Sequence, residues 1–99
     1  MNFENLISAF ELGELYQTLG ISEARKKDPQ FNNEVNNAFK RYCRADFKGM
    51  YEEDIELNTA AIKNNNDRIF GAYDTSKGKI YIITEYDRSH TTILFADEY

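Results

Sequence analysis

Few residues of this chain have side chains suited to catalysis or metal binding, and most of them lie near the C-terminal end. Glu85 and Asp87 are neighbouring carboxylates of the kind that general acid–base catalysis uses. His90 is the only histidine and Cys43 is the only cysteine. Acid–base catalysis needs a cleft that shifts pKa values, and a histidine-rich metal site needs more than one histidine. These residues therefore predict no enzyme activity, no metal site and no cofactor.

Length and composition predict one soluble globular domain that spans residues 1–99. The chain is 41% hydrophobic and 29% charged, which is the balance of a protein with a modest core. No run approaches the roughly 20 apolar residues that a membrane span needs. The start, MNFENLISAF, lacks the basic region and cleavage site of a secretory signal. Because a lone cysteine also fits a reducing compartment, we expect a cytoplasmic protein.

The net charge of −5 comes from the second half of the chain. Residues 1–49 hold seven basic and seven acidic residues, whereas residues 50–99 hold five basic and ten acidic ones. Direct nucleic-acid binding is not expected, because it needs a basic surface. An acidic half instead suits a protein partner with a basic surface. The alternative is that acidic side chains only keep the protein soluble.

The first half of the chain predicts two helices. Helical spacing of apolar residues predicts a first helix from Phe3 to Leu19, weakened at Gly13 and followed by a polar connector over Ile21–Lys27. Asp28 and Pro29 then supply the N-cap and first position of a second helix. Its buried stripe is predicted to be Phe31, Val35, Ala38, Phe39 and Tyr42.

A third helix and three strands are predicted next. The helix starts near Glu52, with acidic residues in its first turn, and places Asn58 inward, where its amide must bond to the backbone or to a strand residue. The strands Arg68–Asp74, Lys79–Tyr86 and Thr91–Ala96 are rich in β-branched and aromatic residues. The middle strand is apolar on both faces and is therefore expected at the centre of the sheet. We expect an α+β fold with about three N-terminal helices and a three-stranded antiparallel β-meander.

The segment from Asp46 to Tyr99 resembles a large family of small bacterial proteins encoded on plasmids and phages. Members are labelled plasmid-related proteins, and some carry the label of a type I restriction enzyme subunit. Residues that match the family pattern are Asp46, Glu53, Asp54, Asn58, Ala61, Ile80, Ile82, Ile83, Thr84, Glu85, Asp87, Arg88, Ser89, Thr91, Thr92, Ile93, Leu94, Glu98 and Tyr99. Phe47 and Tyr81 replace the tryptophans usual in the family, and Lys48-Gly49 departs from its Gly-Asp turn. Residues 1–45, the variable helical part, match no pattern of this family.

The resemblance implies a genetic context more than a mechanism. Small proteins of mobile elements commonly counter host defence, so the resemblance implies inhibition of a CRISPR effector or a restriction enzyme. A methylase role is not implied, because the chain lacks a glycine-rich cofactor loop and the catalytic motif of such enzymes.

The matched motif has a structural and a functional interpretation. As a fold-defining network, Arg88 ties down the second hairpin through Glu85 or Asp87, and Asp67 pairs with Arg68 or Arg88. Such ion pairs contribute at most about 1 kcal/mol each where they are exposed. In the functional interpretation the same residues present a polar surface to a partner. The full set is Asp54, Asn58, Arg68, Thr84, Glu85, Asp87, Arg88 and Ser89.

Two functional hypotheses follow. In the first, the chain inhibits a defence nuclease complex, with acidic side chains that imitate DNA phosphates in a basic groove. In the second, it is a non-inhibitory interaction module that binds a protein of its own plasmid or phage. The acidic residues expected to bind the partner are Glu52, Glu53, Glu56, Asp74, Asp97 and Glu98.

Overall fold

The computed structural model describes residues 8–99, which form three α-helices, one four-stranded sheet and a final 3-10 turn. In chain order the elements are β1 Glu14–Gln17, α1 Leu19–Lys27, α2 Pro29–Cys43, α3 Glu52–Asn64, β2 Ile69–Thr75, β3 Gly78–Thr84, β4 His90–Phe95 and the 3-10 turn Ala96–Glu98. The strand order is β1-β4-β3-β2, with β1 parallel to β4 and the other pairs antiparallel. The α+β class is confirmed, and the prediction of a three-stranded antiparallel meander is wrong, because β1 adds a parallel fourth strand.

β1 occupies part of the segment predicted as a first helix from Phe3 to Leu19. The first seven residues of the chain lie outside the described residues, and the prediction is wrong for the remainder. Gly13 adopts a φ of +65°, and the N–H of Glu14 then donates to the carbonyl of Ser89 at 3.1 Å. This contact starts the parallel pairing with β4, a partner far away in the chain that helical spacing cannot reveal.

Helix α1 replaces the connector predicted over Ile21–Lys27. Its N-cap is Thr18, whose hydroxyl accepts a hydrogen bond from the N–H of Ile21 at 3.2 Å. The basic residues at its end, Arg25, Lys26 and Lys27, lie where cations favour the helix dipole. Ile21 is the one residue of α1 that is fully buried, so the helix has no apolar stripe for the sequence to show.

Helix α2 forms as predicted from its first residues. The Asp28 carboxylate accepts hydrogen bonds from the N–H groups of Gln30 and Phe31 at 3.0 and 3.2 Å, and Pro29 occupies the first turn. The predicted stripe is buried together with Cys43. Together with α1, this stripe covers one face of the sheet, where the strands contribute Ile69, Tyr73, Ile80, Ile82 and Ile93 to the core.

The opposite face of the sheet is covered in part by aromatic rings. The rings of Phe70 and Tyr81 lie 4.6 Å apart between centroids, and the ring of Tyr99 lies 5.7 Å from each of them, edge to face. Ile83 and Leu94 are buried on this face, which follows from their register opposite Phe70 and Tyr81. β3 therefore lies inside the sheet with apolar residues on both faces, which confirms its predicted central place.

Candidate functional site

Arg88, in the turn between β3 and β4, is buried to 94% of its surface and places its guanidinium against the C-terminal end of α3. One terminal nitrogen, Nη1, donates to the carbonyl of Asp67 at 2.6 Å and to two carbonyls of its own turn at 3.2 Å. The other, Nη2, donates to the carbonyls of Ala61 at 2.9 Å and Asn66 at 3.1 Å. Because helix carbonyls at this end carry partial negative charge, they compensate the buried cation.

The predicted ion pairs around Arg88 are therefore replaced by bonds to the main chain. Glu85 and Asp67 contribute their carbonyl oxygens to Arg88, not their carboxylates. The carboxylate of Asp87 accepts from the N–H of Ser89 at 3.0 Å. Hydrogen bonding by the Ser89 side chain, and then by this N–H, holds the pKa of Asp87 below its usual range. The motif ties down the second hairpin as predicted, but it does so by capping carbonyls instead of pairing charges.

Asn58 fastens α3 to the edge of the sheet. Its side-chain NH₂ donates to the carbonyl of Phe70 at 2.8 Å, and its side-chain oxygen accepts from the N–H of Phe70 at 3.0 Å. The amide therefore fills the place of a neighbouring strand at this residue of β2, which is an edge strand. Of the two partners predicted for the buried Asn58, the backbone or a strand residue, the structure has the backbone of Phe70.

Thr84 lies in a buried chain of hydroxyl groups beneath the helices. Its hydroxyl is 2.6 Å from the Tyr42 hydroxyl and 2.7 Å from that of Thr91, which donates to the carbonyl of Leu12 at 2.7 Å. The Tyr42 hydroxyl also donates to the carbonyl of Ile69 at 3.0 Å. Burial raises the pKa of Tyr42 far above that of a solvated tyrosine. Each of the three hydroxyl groups, those of Tyr42, Thr84 and Thr91, has a hydrogen-bond partner, so we assign them a structural role.

Arg68 and Asp54 have different surroundings. An Nη atom of Arg68 donates to the hydroxyl of Tyr99 at 2.9 Å, and its guanidinium carbon lies 5.8 Å from the centre of the Tyr99 ring. Asp54 lies in the first turn of α3, where it faces a groove beside β2. The eight residues of the predicted network therefore do not form one cluster, because Asn58, Thr84 and Arg88 bind separate parts of the fold.

The six acidic residues predicted to bind a partner fall into separate places. Glu52, Glu53 and Glu56 are exposed on α3 and span about 100° of the helix, on the side away from the buried Asn58 and Ala61. We call these three residues the acidic α3 face. In the part of the chain that the structure describes, no cation lies within ion-pair distance of them.

The other three acidic residues lie elsewhere. Asp74 is exposed in β2, 3.8 Å from the ammonium of Lys79, and Asp97 is exposed in the 3-10 turn. The carboxylate of Glu98 accepts from the Thr18 hydroxyl at 2.8 Å and from the N–H of Phe95 at 2.7 Å. Glu98 therefore joins the end of β4 to the start of α1, and its charge is engaged within the protein.

A groove of about 690 Å³ lies along the edge of β2 and was not predicted from the sequence. One wall consists of the segment before α3 and its first turns, and the other consists of the β2–β3 hairpin. We call it the β2-edge groove. Its charged lining residues are Arg41, Lys48, Asp54, Arg68, Asp74 and Lys79. The inward position of Asn58 was the sequence signal that α3 lies against this edge.

Cys43 and His90, whose side chain types occur in catalytic sites, make packing and hydrogen-bond contacts within the fold. Cys43 is fully buried, and burial raises the pKa of its thiol. His90 places its Nδ1 3.1 Å from the hydroxyl of Ser89, and its ring packs edge to face on Tyr16 at 5.7 Å. Within residues 8–99, no group of three or more His, Cys, Asp or Glu side chains is placed to hold a metal ion.

Comparisons with known proteins give no match to a family model, a curated protein or a solved structure. Across the described residues, none of the helices is long and apolar enough to cross a membrane.

Proposed function

We propose that this chain is a protein-binding inhibitor that docks its acidic α3 face on a basic surface of a host defence nuclease. The observation that carries the proposal is the set of three exposed glutamates, Glu52, Glu53 and Glu56, on one side of α3. They have no cation within ion-pair distance among residues 8–99, so their charge is available to a partner. The net charge of −5 adds a long-range attraction to any basic surface.

A nucleic-acid groove is the basic surface that such a face fits best. Side chains four residues apart on a helix, such as Glu52 and Glu56, are separated by about 6 Å along the axis, so the face offers closely spaced negative charges as a phosphate backbone does. A protein that occupies a DNA-binding groove in this way excludes DNA from it. The likeness of residues 46–99 to plasmid and phage proteins, described above, supports a defence nuclease in the bacterial cytoplasm as the target.

The proposal is tested by cleavage of DNA by purified defence nucleases, with a CRISPR effector and a type I restriction enzyme as the two targets. We expect the wild-type chain to form a complex with its target and to lower the cleavage rate. The double variant Glu52→Lys/Glu56→Lys should bind about 100-fold more weakly, because two attractive charges become repulsive. Raised salt should slow the association of the wild-type chain, since steering between charged surfaces is screened.

A matched control changes the net charge by the same amount away from α3. Glu11 and Glu23 are exposed, and neither lies in α3, so Glu11→Lys/Glu23→Lys should inhibit nearly as well as the wild-type chain. An equal loss of inhibition in both double variants would show that net charge alone explains the effect. That result would contradict a specific role of the acidic α3 face. If the chain inhibits neither nuclease, the result would favour the second hypothesis, a module that binds a protein of its own plasmid or phage.

A further inference from the structure

The exposed edge of β2 offers main-chain groups to a partner strand. The N–H and carbonyl of Phe70 point away from β3, since both bond to the side chain of Asn58. Main-chain groups alternate in direction along a strand, so those of Ala72 and Asp74 point to the same side. No described residue bonds to these outward groups, and both residues line the β2-edge groove. Asn58 therefore closes one end of the edge and leaves the next two outward positions open.

The walls of the groove suit the side chains of an extended segment. Tyr51 and Leu57, on the α3 side, are 79% and 68% exposed, so both large side chains are open to contact by a partner. Phe70 and Tyr81 form the apolar part of the opposite wall. The volume of about 690 Å³ is in the range of ligand sites, and the lining along β2 runs from Phe70 to Asp74, which suits a strand of a few residues.

The charge of the groove is opposite to the charge of the protein. Its lining has four cations, Arg41, Lys48, Arg68 and Lys79, and two anions, Asp54 and Asp74. Arg41 pairs with Asp46 at 3.0 Å, and Lys79 lies 3.8 Å from Asp74. The charged lining residues outside these pairs are two cations, Lys48 and Arg68, and one anion, Asp54. The groove is therefore net positive, although the net charge of the protein is −5.

We propose that the β2-edge groove binds an extended, acidic segment of a partner protein, which adds a strand to β2. Main-chain hydrogen bonds at Ala72 and Asp74 hold the segment. Its acidic side chains lie near Lys48 and Arg68, and alternating apolar side chains contact Tyr51 and Leu57. This surface is separate from the acidic α3 face, and it recognises a partner of opposite charge. Its test is therefore independent of nuclease inhibition.

The experiment uses the full chain and a library of random short peptides displayed on phage. We expect enriched peptides to alternate acidic and apolar residues, and a labelled copy of the most enriched peptide to bind in fluorescence anisotropy. Backbone resonances should show slower hydrogen exchange at the amides of Ala72 and Asp74 when that peptide is bound. The amide of Phe70, which Asn58 already occupies, should change little.

Two variants separate the main-chain and charge contributions. Ala72→Pro removes an outward N–H without removing a hydrogen bond inside the sheet, and we expect about tenfold weaker binding. Its folding is checked by thermal unfolding. Lys48→Glu should also weaken binding about tenfold. Lys63→Glu makes the same charge change on α3, outside the groove lining, and should leave the affinity within about twofold.

The proposal is overturned by any of three results. The first is a selection with no enriched peptide, or with enriched peptides that have no acidic bias. The second is equal loss of binding in Lys48→Glu and Lys63→Glu. The third is a dimer in sedimentation whose Ala72 and Asp74 amides are already protected without peptide, because a second copy of this chain would then fill the edge. If Ala72→Pro fails to fold, Lys48→Glu and the exchange measurement still decide between these outcomes.

Discussion

Among residues 8–99, the buried guanidinium of Arg88 has no carboxylate within ion-pair distance. Its five hydrogen bonds all go to main-chain carbonyls, and its Nε atom has no partner among the described residues. The arrangement depends on the planar fork of the guanidinium, which reaches the end of α3 and its own turn together. A φ of +60° at Arg88 adds backbone strain that these bonds must offset.

We predict that Arg88→Lys destabilises the fold although it keeps the charge. An ammonium reaches fewer carbonyls, and the others are left buried without a donor, so the free energy of unfolding should fall by about 2–4 kcal/mol. Urea unfolding measures this change. The control is Arg44→Lys at an exposed position, which should change stability by less than about 0.5 kcal/mol. Equal stability of the two variants would contradict the carbonyl-capping role.

The elements differ in how far the sequence predicts them, and the difference follows from where their partners lie. Helix α2 depends on Asp28, Pro29 and an apolar stripe within the helix itself. Because all of these are close together in the chain, the sequence was enough to predict it. β1 is four exposed residues that pair with β4, and the spacing of Leu15 and Leu19 suits a helix equally well. α1 buries Ile21 alone, so its cap at Thr18 was the one available signal. Interactions between residues far apart in the chain decided the elements that prediction missed.

The same reasoning applies to the site. The acidic α3 face was predicted because helical periodicity alone places Glu52 and Glu56 together. The β2-edge groove was not, since it needs α3, the segment before it and the hairpin to meet. The partners of Arg88 were also missed, because main-chain carbonyls leave no mark in a sequence.

At the scale of elements, we predict that Asn58→Ala releases α3 from the edge of β2. The variant leaves the N–H and carbonyl of Phe70 without partners in a half-buried place, so stability should fall by about 1–3 kcal/mol. Hydrogen exchange at the Phe70 amide should accelerate more than at β4 amides. Thr59→Ala is the control, because Thr59 is exposed and bonds only within α3. An unchanged exchange rate at Phe70 would show that the clamp does not hold the edge.

A second prediction at this scale concerns the docking of β1. A Cβ at Gly13 would overlap the carbonyl of Ser89, and φ is +65°, so Gly13→Ala should separate β1 from β4. Gly49→Ala is the matched control, since Gly49 has φ +104° and open space around it. Backbone strain alone costs about 1–2 kcal/mol, so Gly13→Ala should cost more than that and more than the control. Hydrogen exchange of the β1 amides locates the loss, and a larger cost for the control would contradict the clash.

For the whole molecule, charge and topology together separate two surfaces. The exposed glutamates lie on the outer side of α3, whereas the cations near β2 line the groove on its other side. One side of helix α3 therefore carries the acidic α3 face, and its other side borders the net positive groove. The two proposed partners, a basic surface and an acidic segment, would contact different sides of α3, so the two proposals are compatible.

The stability of the whole fold should depend on pH in the alkaline range. Burial raises the pKa of both Tyr42 and Tyr73 above that of a solvated tyrosine, which is about 10. Their stabilising effect is fully present below pH 10. Above it, tyrosines of the unfolded chain ionise while the buried ones stay neutral, so stability falls by about 1.4 kcal/mol per pH unit for each group.

Thermal unfolding between pH 8 and pH 11 would measure this slope, and absorbance of the phenolate would follow the titration. Tyr73→Phe removes one buried phenol, so the slope above about pH 10 should become less steep by about 1.4 kcal/mol per pH unit, although the lost hydrogen bond to the carbonyl of Asp46 lowers stability at every pH. Tyr51→Phe, at an exposed position, is the comparison variant that loses a phenol outside the core. An equal slope in the wild type and Tyr73→Phe would mean that Tyr73 ionises within the folded state, which its burial under Arg41 and the sheet argues against.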